Sequence, residues 1–314
     1  MATLLVCSAT DDLRTLQTAL AQAAAPVMPD LQVRLWPEAT DADDVLAVAA
    51  WHPPAGLFNT LPQLQLIASI GAGVEHILRV PDVPPEVPIS RIVDSQQARG
   101  MAEFILWATL HFHRQMDLVL QQHAQRIWRM PPQRAAAECR VGIMGLGAMG
   151  EQAARCLRDN GFTVSGWSRS KHGIAGVDTY AGDGELKPFL APLDVVVCLL
   201  PLTASTYGIC NAEFFSLLRP GAALVNAGRG EHVVTEDLLA ALDSGHLRGA
   251  VLDTFAQEPL SPEDPLWNHP GILVTPHMAS AASESEIARQ IVDNLQRIRT
   301  GKSPLHTIDR ERRY

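Results

Sequence analysis

The chain has 314 residues, of which 47% are hydrophobic and 19% are charged, and its formal net charge is −9 at pH 7. These values are ordinary for a globular protein and leave room for two domains. The negative charge and the lack of a Lys/Arg run argue against a nucleic-acid partner. No apolar run is long enough to span a membrane, and the five scattered cysteines include no CxxC pair. The composition therefore predicts a cytoplasmic protein with neither a metal site nor a disulfide framework.

The first hundred residues alternate short apolar strands with helices. Strands are predicted at residues 3–7, 31–35, 45–50, 66–70 and 89–93, and helices at about residues 12–24 and 74–78. The third strand is followed by Trp51, and Pro53 and Pro54 then make a rigid exit that leaves the ring at the carboxyl end of the strand. The fourth strand leads into a glycine turn at residues 71–73. This turn either offers backbone N–H groups to an anion or is only a tight turn.

Residues 101–128 form a long predicted helix, closed by Pro131 and Pro132. A helix that links two sheet domains commonly serves as a dimer contact, so we expect a homodimer. The last predicted helix, residues 283–300, should cross back to the first domain. We therefore expect residues 1–100 and 285–314 to form one domain and residues 101–284 to form the other.

An apolar run at residues 141–144 leads into three spaced glycines and then into a helix at residues 148–157. In a dinucleotide-binding turn the first glycine makes the tight turn, the second lets backbone approach a pyrophosphate, and the third lets helix pack on strand. The helix N-terminus supplies N–H groups and partial positive charge to that pyrophosphate. The motif alone is weak, but its position before another strand at residues 162–167 favours a nucleotide site over a merely tight turn. The residues of this turn are Gly145, Leu146, Gly147, Ala148, Met149 and Gly150.

Four more apolar strands are predicted at residues 195–200, 222–226, 250–252 and 272–274, with a helix at residues 235–244. Continuous apolar strands that alternate with helices are typical of a parallel sheet covered on both faces. The sequence therefore predicts an α/β fold of two Rossmann/flavodoxin-like parallel-sheet domains, with the active site in the cleft between them.

Charged side chains follow the strands of the second domain at their carboxyl ends, where ligands bind in such sheets. Arg229 follows one strand, Glu258 lies a few residues beyond the next, and His277 follows the last. Each alone has a simpler explanation: a structural ion pair for Arg229, a turn carboxylate for Glu258, and a helix-end residue for His277. Together, downstream of a dinucleotide turn, they match the chemistry of reducing a 2-keto acid.

These three side chains supply what such a reduction requires. Arg229 can bind a substrate carboxylate through two hydrogen bonds and polarise the carbonyl. His277 can donate a proton to the carbonyl oxygen as a hydride arrives. Glu258 can favour the imidazolium form of His277 and hold its ring in place.

The sequence carries four motifs of one family: the glycine turn, Asn-Ala-Gly-Arg-Gly at residues 226–230, Val-Leu-Asp-Thr-Phe with Glu-Pro-Leu at residues 251–260, and Thr-Pro-His at residues 275–277. Over nearly its whole length the chain resembles the D-2-hydroxyacid dehydrogenase family. Within that family it is most similar to the bacterial glyoxylate/hydroxypyruvate reductase A subgroup, through residues 51–54, 238–245, 265–270 and 309–314.

The resemblance implies a substrate domain at the chain ends, a dinucleotide-binding domain between them, and a homodimer built partly on the long helix. It also implies Arg229, Glu258 and His277 as the catalytic set. We expect additional cofactor contacts at Leu200, Pro201, Thr206, Ala227, Gly228, Arg229, Asp253 and His277. The expected substrate contacts are Trp51, Gly71, Ala72, Gly73, Arg229 and His277.

The end of the second strand of the dinucleotide domain favours NADP(H) over NAD(H). Family members that prefer NAD carry an acidic residue there, whereas this chain reads Trp-Ser-Arg-Ser-Lys at residues 167–171. Arg169 can bind a ribose 2′-phosphate, and Ser168 and Ser170 can add hydrogen bonds. The alternative is a solvated basic turn.

The sequence thus predicts an NADPH-dependent reductase that converts glyoxylate to glycolate and hydroxypyruvate to glycerate. Trp51 is expected to close over the substrate and favour small 2-keto acids, unless its ring only packs under the loop. Two alternatives stay open: a reductase of bulkier 2-keto acids such as phenylpyruvate, and a dinucleotide-sensing binding protein of the same fold. Turnover of a keto acid with NADPH separates the enzyme from the binding protein.

Overall fold

A computed structural model describes residues 2–38 and 42–310, so residues 311–314 of the last subgroup motif lie outside the described part. The chain forms two compact units: unit 1 comprises Met1–Asp94 and Ala281–Tyr314, and unit 2 comprises Ser95–Ser280. These limits lie a few residues from those expected at residues 100 and 285. A hydrogen bond joins the two ends of unit 2: Ser280 Oγ donates to the Gln97 carbonyl at 2.5 Å.

The helices, in chain order, are α1 (Arg14–Ala24), α2 (Glu75–Leu78), α3 (Ser95–His113), α4 (Met116–Ala124), α5 (Ala148–Asp159), α6 (Leu186–Leu190), α7 (Ala212–Leu217), α8 (Thr235–Asp243) and α9 (Glu284–Arg299). The strands are β1 (Ala2–Ser8), β2 (Leu31–Leu35), β3 (Val45–Trp51), β4 (Leu66–Ser69), β5 (Ile89–Ser90), β6 (Arg140–Met144), β7 (Thr163–Ser168), β8 (Asp178–Ala181), β9 (Val195–Cys198), β10 (Ala222–Asn226), β11 (Leu247–Leu252) and β12 (Ile272–Val274). Among the described residues, no helix combines the length and apolar character that crossing a membrane requires.

Unit 1 is built on a parallel sheet of five strands in the order β2-β1-β3-β4-β5. Its inner strands are apolar on both faces because both faces are covered. Leu20 of α1 and Ile291 of α9 belong to the buried cluster on one face, and Phe58 and Ile77 belong to the cluster on the other. This strand order is that of a flavodoxin-like sheet, whose switch point lies between β1 and β3.

Unit 2 is built on a parallel sheet of seven strands in the order β12-β11-β10-β9-β6-β7-β8. On one side of β6 lie β7 and then β8, and on the other side lie β9 to β12 in order. This is the Rossmann order, with its switch point between β6 and β9. Helices α3 and α5 pack together over one face through residues such as Ile105 and Ala154. The two sheets confirm the predicted parallel α/β fold. Strand β8 was not predicted, because its Asp-Thr-Tyr-Ala sequence is short and only partly buried.

The single long helix predicted at residues 101–128 is wrong. The helical segment begins earlier and divides into α3 and α4 at Gln115, whose φ of 57° is left-handed and cannot continue an α-helix. Residues beyond α4 hold this break in place. The side-chain amide of Gln115 donates to the Pro132 carbonyl, and Arg114 Nε donates to Gln133 Oε1 at 2.7 Å. Because these partners are 17 and 19 residues apart, no local pattern indicated the break.

Candidate active site

The glycine turn between β6 and α5 has the backbone geometry that a dinucleotide site requires. Gly145 has a φ of 98°, and a Cβ there would lie 2.7 Å from the Leu199 carbonyl oxygen. A Cβ on Gly150 would lie 1.8 Å from the Gly145 carbonyl oxygen, so α5 packs on the turn only with glycine at this position. Around Gly147, in contrast, no atom lies within 4 Å of the Cβ position, which leaves open space beside the backbone.

The N-terminus of α5 can receive an anion in that open space. Gly147 is its N-cap, and no side chain makes a capping hydrogen bond. The N–H groups of the first turn, from Ala148 to Gly150, have no partner within the helix. Such a terminus binds pyrophosphate through its N–H groups and the helix dipole. The predicted dinucleotide turn therefore fits its ligand.

The turn after β7 carries the residues predicted to select the cofactor. Arg169 and Ser170 are exposed, whereas Ser168 is buried. The Ser168 hydroxyl donates to the Ser170 carbonyl at 2.7 Å, and Nδ1 of His172 lies 2.8 Å from the same carbonyl oxygen. Ser168 thus shapes the turn, while Arg169 and Ser170 face solvent at its surface.

The loop after β9 holds the predicted contacts Leu200, Pro201 and Thr206. Leu200 is buried in the core of unit 2. The Thr206 hydroxyl donates to the Pro201 carbonyl at 2.7 Å and accepts from the Thr203 N–H at 2.8 Å. Thr206 therefore closes this loop on itself beside the switch point of the sheet.

The loop after β10 is organised by Asn226, to which sequence reasoning gave no role of its own. This buried side chain donates to the Arg229 carbonyl at 2.9 Å and accepts from the Gly228 N–H at 3.3 Å. It thereby fixes the predicted residues Ala227 to Arg229. A Cβ on Gly230 would lie 1.9 Å from the Phe255 carbonyl carbon, so the loops after β10 and β11 pack backbone to backbone. The sequence signal that could have indicated this role is a polar residue at the end of an apolar strand.

Asp253, predicted to contact the cofactor, anchors the loop that carries His277. Its carboxylate is buried and accepts three hydrogen bonds, from the Thr275 hydroxyl at 2.6 Å and from the N–H groups of Met278 and Ala279 at 2.9 Å each. The Asp253 carbonyl also accepts the His277 N–H at 2.9 Å. His277 has a φ of 51°, a conformation that a non-glycine residue keeps only where its surroundings impose it. The Asp253 contacts impose it here.

Glu258 and His277 are hydrogen-bonded to each other, as their predicted roles require. Glu258 Oε2 lies 2.7 Å from His277 Nδ1, and Glu258 Oε1 accepts the Phe255 N–H at 2.9 Å. Because Nδ1 faces the carboxylate, the other ring nitrogen of His277, Nε2, can exchange a proton with a ligand. The exposed fractions of the two side chains are 38% for His277 and 36% for Glu258, so solvent and ligands can reach the pair.

The electrostatics of this pair also involve Arg229. Partial burial raises the pKa of Glu258, but hydrogen bonds from His277 and Phe255 and the charges of His277 and Arg229 outweigh it and hold that pKa below its usual value. The carboxylate's contribution to folding is therefore present above the ordinary Glu pKa and is lost as the pH falls through the lower, folded-state value. Unit 2 thus brings together all three predicted catalytic side chains.

In unit 1 the predicted substrate residues form a second group. The ring of Trp51 packs against His76, with centroids 4.3 Å apart, and one ring carbon lies 2.9 Å from the place of a Cβ on Gly71. The Gly71 N–H donates to Ser69 Oγ at 3.2 Å. Within the described residues, the N–H groups of Ala72 and Gly73 donate to no other group. The turn therefore offers two backbone donors beside an aromatic ring.

Similar proteins identify the family of this chain. The family model described as D-isomer specific 2-hydroxyacid dehydrogenase, NAD binding domain, matches residues 106–279. Glyoxylate/hydroxypyruvate reductase A of Salmonella paratyphi B is 37% identical over 297 residues, which are 93% of this chain and 95% of the relative. The chain belongs to the D-2-hydroxyacid dehydrogenase family.

Solved structures of other D-2-hydroxyacid dehydrogenases share the whole fold. The enzyme from Xanthobacter autotrophicus Py2, in complex with NADPH and MES, has a TM-score of 0.93 at 38% identity and covers 100% of this chain and 99% of its own. The NADPH-dependent glyoxylate/hydroxypyruvate reductase of Sinorhizobium meliloti, in complex with NADP and sulfate, has a TM-score of 0.92 at 35% identity and covers 100% of both chains. As a member of this family, the present dehydrogenase is an oxidoreductase.

Proposed function

We propose that this dehydrogenase reduces small 2-keto acids with NADPH, converting glyoxylate to glycolate and hydroxypyruvate to glycerate. The observation that carries the proposal is the 2.7 Å hydrogen bond between Glu258 Oε2 and His277 Nδ1, close to Arg229. It prepares the opposite ring nitrogen to donate a proton. The names of the relatives from Salmonella and Sinorhizobium support the substrate class.

In this proposal the protein binds and protonates the substrate, and NADPH, when bound, supplies the hydride that reaches the keto carbon. Arg229 binds the substrate carboxylate through two parallel hydrogen bonds. His277 donates the Nε2 proton to the carbonyl oxygen, so the C=O group becomes H–C–OH. Glu258 favours the protonated ring before this transfer. The partly exposed ring then recovers a proton from solvent.

We propose that unit 1 binds the substrate carboxylate as well. Successive backbone N–H groups in a turn, here those of Ala72 and Gly73, can bind an anion. Trp51 lies against Gly71 and limits the space beside the turn. A rigid ring at this place favours small keto acids over aromatic ones.

We propose NADP(H) as the preferred cofactor, bound at Arg169. The support is the exposed residue Arg169 directly after β7, the lack of a carboxylate in residues 167–171, and the NADPH and NADP complexes of the Xanthobacter and Sinorhizobium enzymes. Arg169→Ala should lower kcat/KM with NADPH by about ten- to a hundredfold and leave NADH kinetics nearly unchanged. Arg140→Ala is the control, because it removes the same charge from the amino end of β6. Equal kcat/KM for NADPH and NADH in the unmodified enzyme would contradict the proposal.

The reaction is tested by measuring NADPH oxidation with glyoxylate, hydroxypyruvate, pyruvate and phenylpyruvate. We expect the highest kcat/KM for glyoxylate and hydroxypyruvate. A higher value for phenylpyruvate would favour the reductase of bulkier acids. Tight binding of NADPH without turnover of any keto acid would favour a dinucleotide-sensing protein and refute the proposal.

We also propose a cytoplasmic homodimer. All five cysteines are free thiols, as is usual in a reducing compartment. Large exposed apolar side chains are concentrated in one stretch of unit 2, at Trp107, Leu110, Met116, Leu120, Ile127, Trp128 and Met130. Such a concentration is typical of an interface. Sedimentation equilibrium should therefore give twice the chain mass of 34.1 kDa, and a single-chain mass would contradict the dimer.

A further inference from the structure

His232 is a fully buried histidine at the end of the 3₁₀ turn that follows Arg229. Its ring touches two loops of unit 2. Nδ1 lies 3.0 Å from the Arg229 backbone nitrogen, and Nε2 lies 3.3 Å from the Pro201 carbonyl oxygen. Both loops carry expected cofactor contacts, and the loop after β10 also carries Arg229, the proposed carboxylate ligand. The imidazole is a direct bridge between them.

The two hydrogen bonds determine where the ring carries its proton. The Arg229 N–H can only donate, so Nδ1 accepts and is unprotonated. The proton therefore lies on Nε2, which donates it to the Pro201 carbonyl. A neutral imidazole satisfies both contacts at once, and an aliphatic side chain satisfies neither.

Backbone contacts hold His232 firmly in this position. Its N–H donates to the Arg229 carbonyl at 3.2 Å, and its carbonyl accepts the Cys210 N–H at 2.8 Å. The ring also lies against Gly228, where a Cβ would come within 3.0 Å of Nδ1. The side chain therefore acts as a fixed support for the loop after β10.

The two bridged loops depend on this ring to different degrees. The Pro201 carbonyl also accepts the Thr206 hydroxyl at 2.7 Å, so its loop keeps an internal hydrogen bond when the imidazole is removed. The Arg229 N–H donates to His232 Nδ1, so this backbone contact is lost with the ring. Loss of the ring should therefore disturb Arg229 more than the loop after β9.

We propose that His232 is a positioning residue, whose neutral imidazole holds the Arg229 backbone where the guanidinium meets the substrate carboxylate. This inference rests on the proposed function, since it assigns Arg229 to the keto acid. It predicts a specific kinetic signature: removing the imidazole raises the KM for the keto acid far more than the KM for NADPH. A role in packing alone lowers thermal stability without separating the two KM values.

The test is steady-state kinetics of His232→Leu with glyoxylate and NADPH, together with the melting temperature. The loss of one hydrogen bond to the backbone should raise the KM for glyoxylate about tenfold, with a change in the KM for NADPH of less than about threefold. His232→Gln should recover part of this loss, because its amide supplies one donor and one acceptor. His246→Leu is the matched control: His246 also donates to a backbone carbonyl, that of Phe215 at 2.8 Å, but it lies at the amino end of β11. Its KM for glyoxylate should be that of the unmodified enzyme.

An unchanged KM for glyoxylate in His232→Leu, or an equal rise of both KM values, would overturn the inference. If the leucine variant does not fold, His232→Met provides the same comparison with a more adaptable apolar side chain. Failure of the unmodified enzyme to reduce any keto acid would refute the proposed function instead, which keeps the two failures distinct.

Discussion

Glu258→Gln isolates the electrostatic part of the proposed proton donor, because it removes the charge that faces His277 and keeps the shape of the side chain. The pKa of Glu258 is held below its usual value by its contacts with His277 and Phe255, so this side chain is charged throughout the neutral range. A charged neighbour favours the protonated imidazole. Keto-acid reduction needs that protonated form, so activity is present at low pH and is lost as the pH rises through an alkaline limb. The neutral amide should move this limb to lower pH.

The size of the shift follows from the exposure of the pair. The 2.7 Å contact is short, but the two side chains are 36% and 38% exposed, so solvent screens the interaction. Screened pairs of this kind contribute about 1 kcal/mol or less, and about 1.4 kcal/mol corresponds to one pH unit. We therefore expect a downward shift of up to about one unit in the alkaline limb of kcat for glyoxylate, measured with saturating NADPH from about pH 5 to 9. An alkaline limb at its original pH in Glu258→Gln would refute the assignment of this carboxylate.

Two further substitutions test the substrate contacts. Arg229→Lys keeps the charge but cannot reproduce two parallel hydrogen bonds, so kcat/KM for glyoxylate should fall by more than about tenfold; a smaller loss would contradict the two-pronged contact. Trp51→Ala should raise kcat/KM for phenylpyruvate relative to glyoxylate by about tenfold, because it removes the ring beside Gly71; unchanged relative values across a keto-acid series would show that the ring is structural.

The parallel sheets could be predicted because strands buried on both faces are continuous apolar runs that alternate with helices. The break at Gln115 and the edge strand β8 could not. The break is held by residues 17 and 19 positions away. Strand β8 exposes part of every residue, so its hydrophobic signal is weak.

In the candidate site, too, some features could be predicted from the sequence and others could not. His277 and Glu258 could be predicted because they follow apolar strands at the edge where ligands bind. The supporting hydrogen bonds could not, since they depend on how separate loops meet. A cofactor contact of Asp253 stays a prediction, whereas the hydrogen bonds by which its carboxylate holds the His277 loop had no signal in the sequence. His232 carried no functional signal in the sequence, because its role depends on a contact with the loop at Pro201.

The central claim is that His277 donates the proton in NADPH-dependent reduction of a small 2-keto acid. The most direct measurement is the turnover rate of His277→Ala with glyoxylate, alongside its affinity for NADPH. The rate should fall by about 10²–10⁴, the range for a lost general acid, while NADPH binds as in the unmodified enzyme. A rate within a few-fold of the unmodified enzyme, with the same pH profile, would contradict the claim.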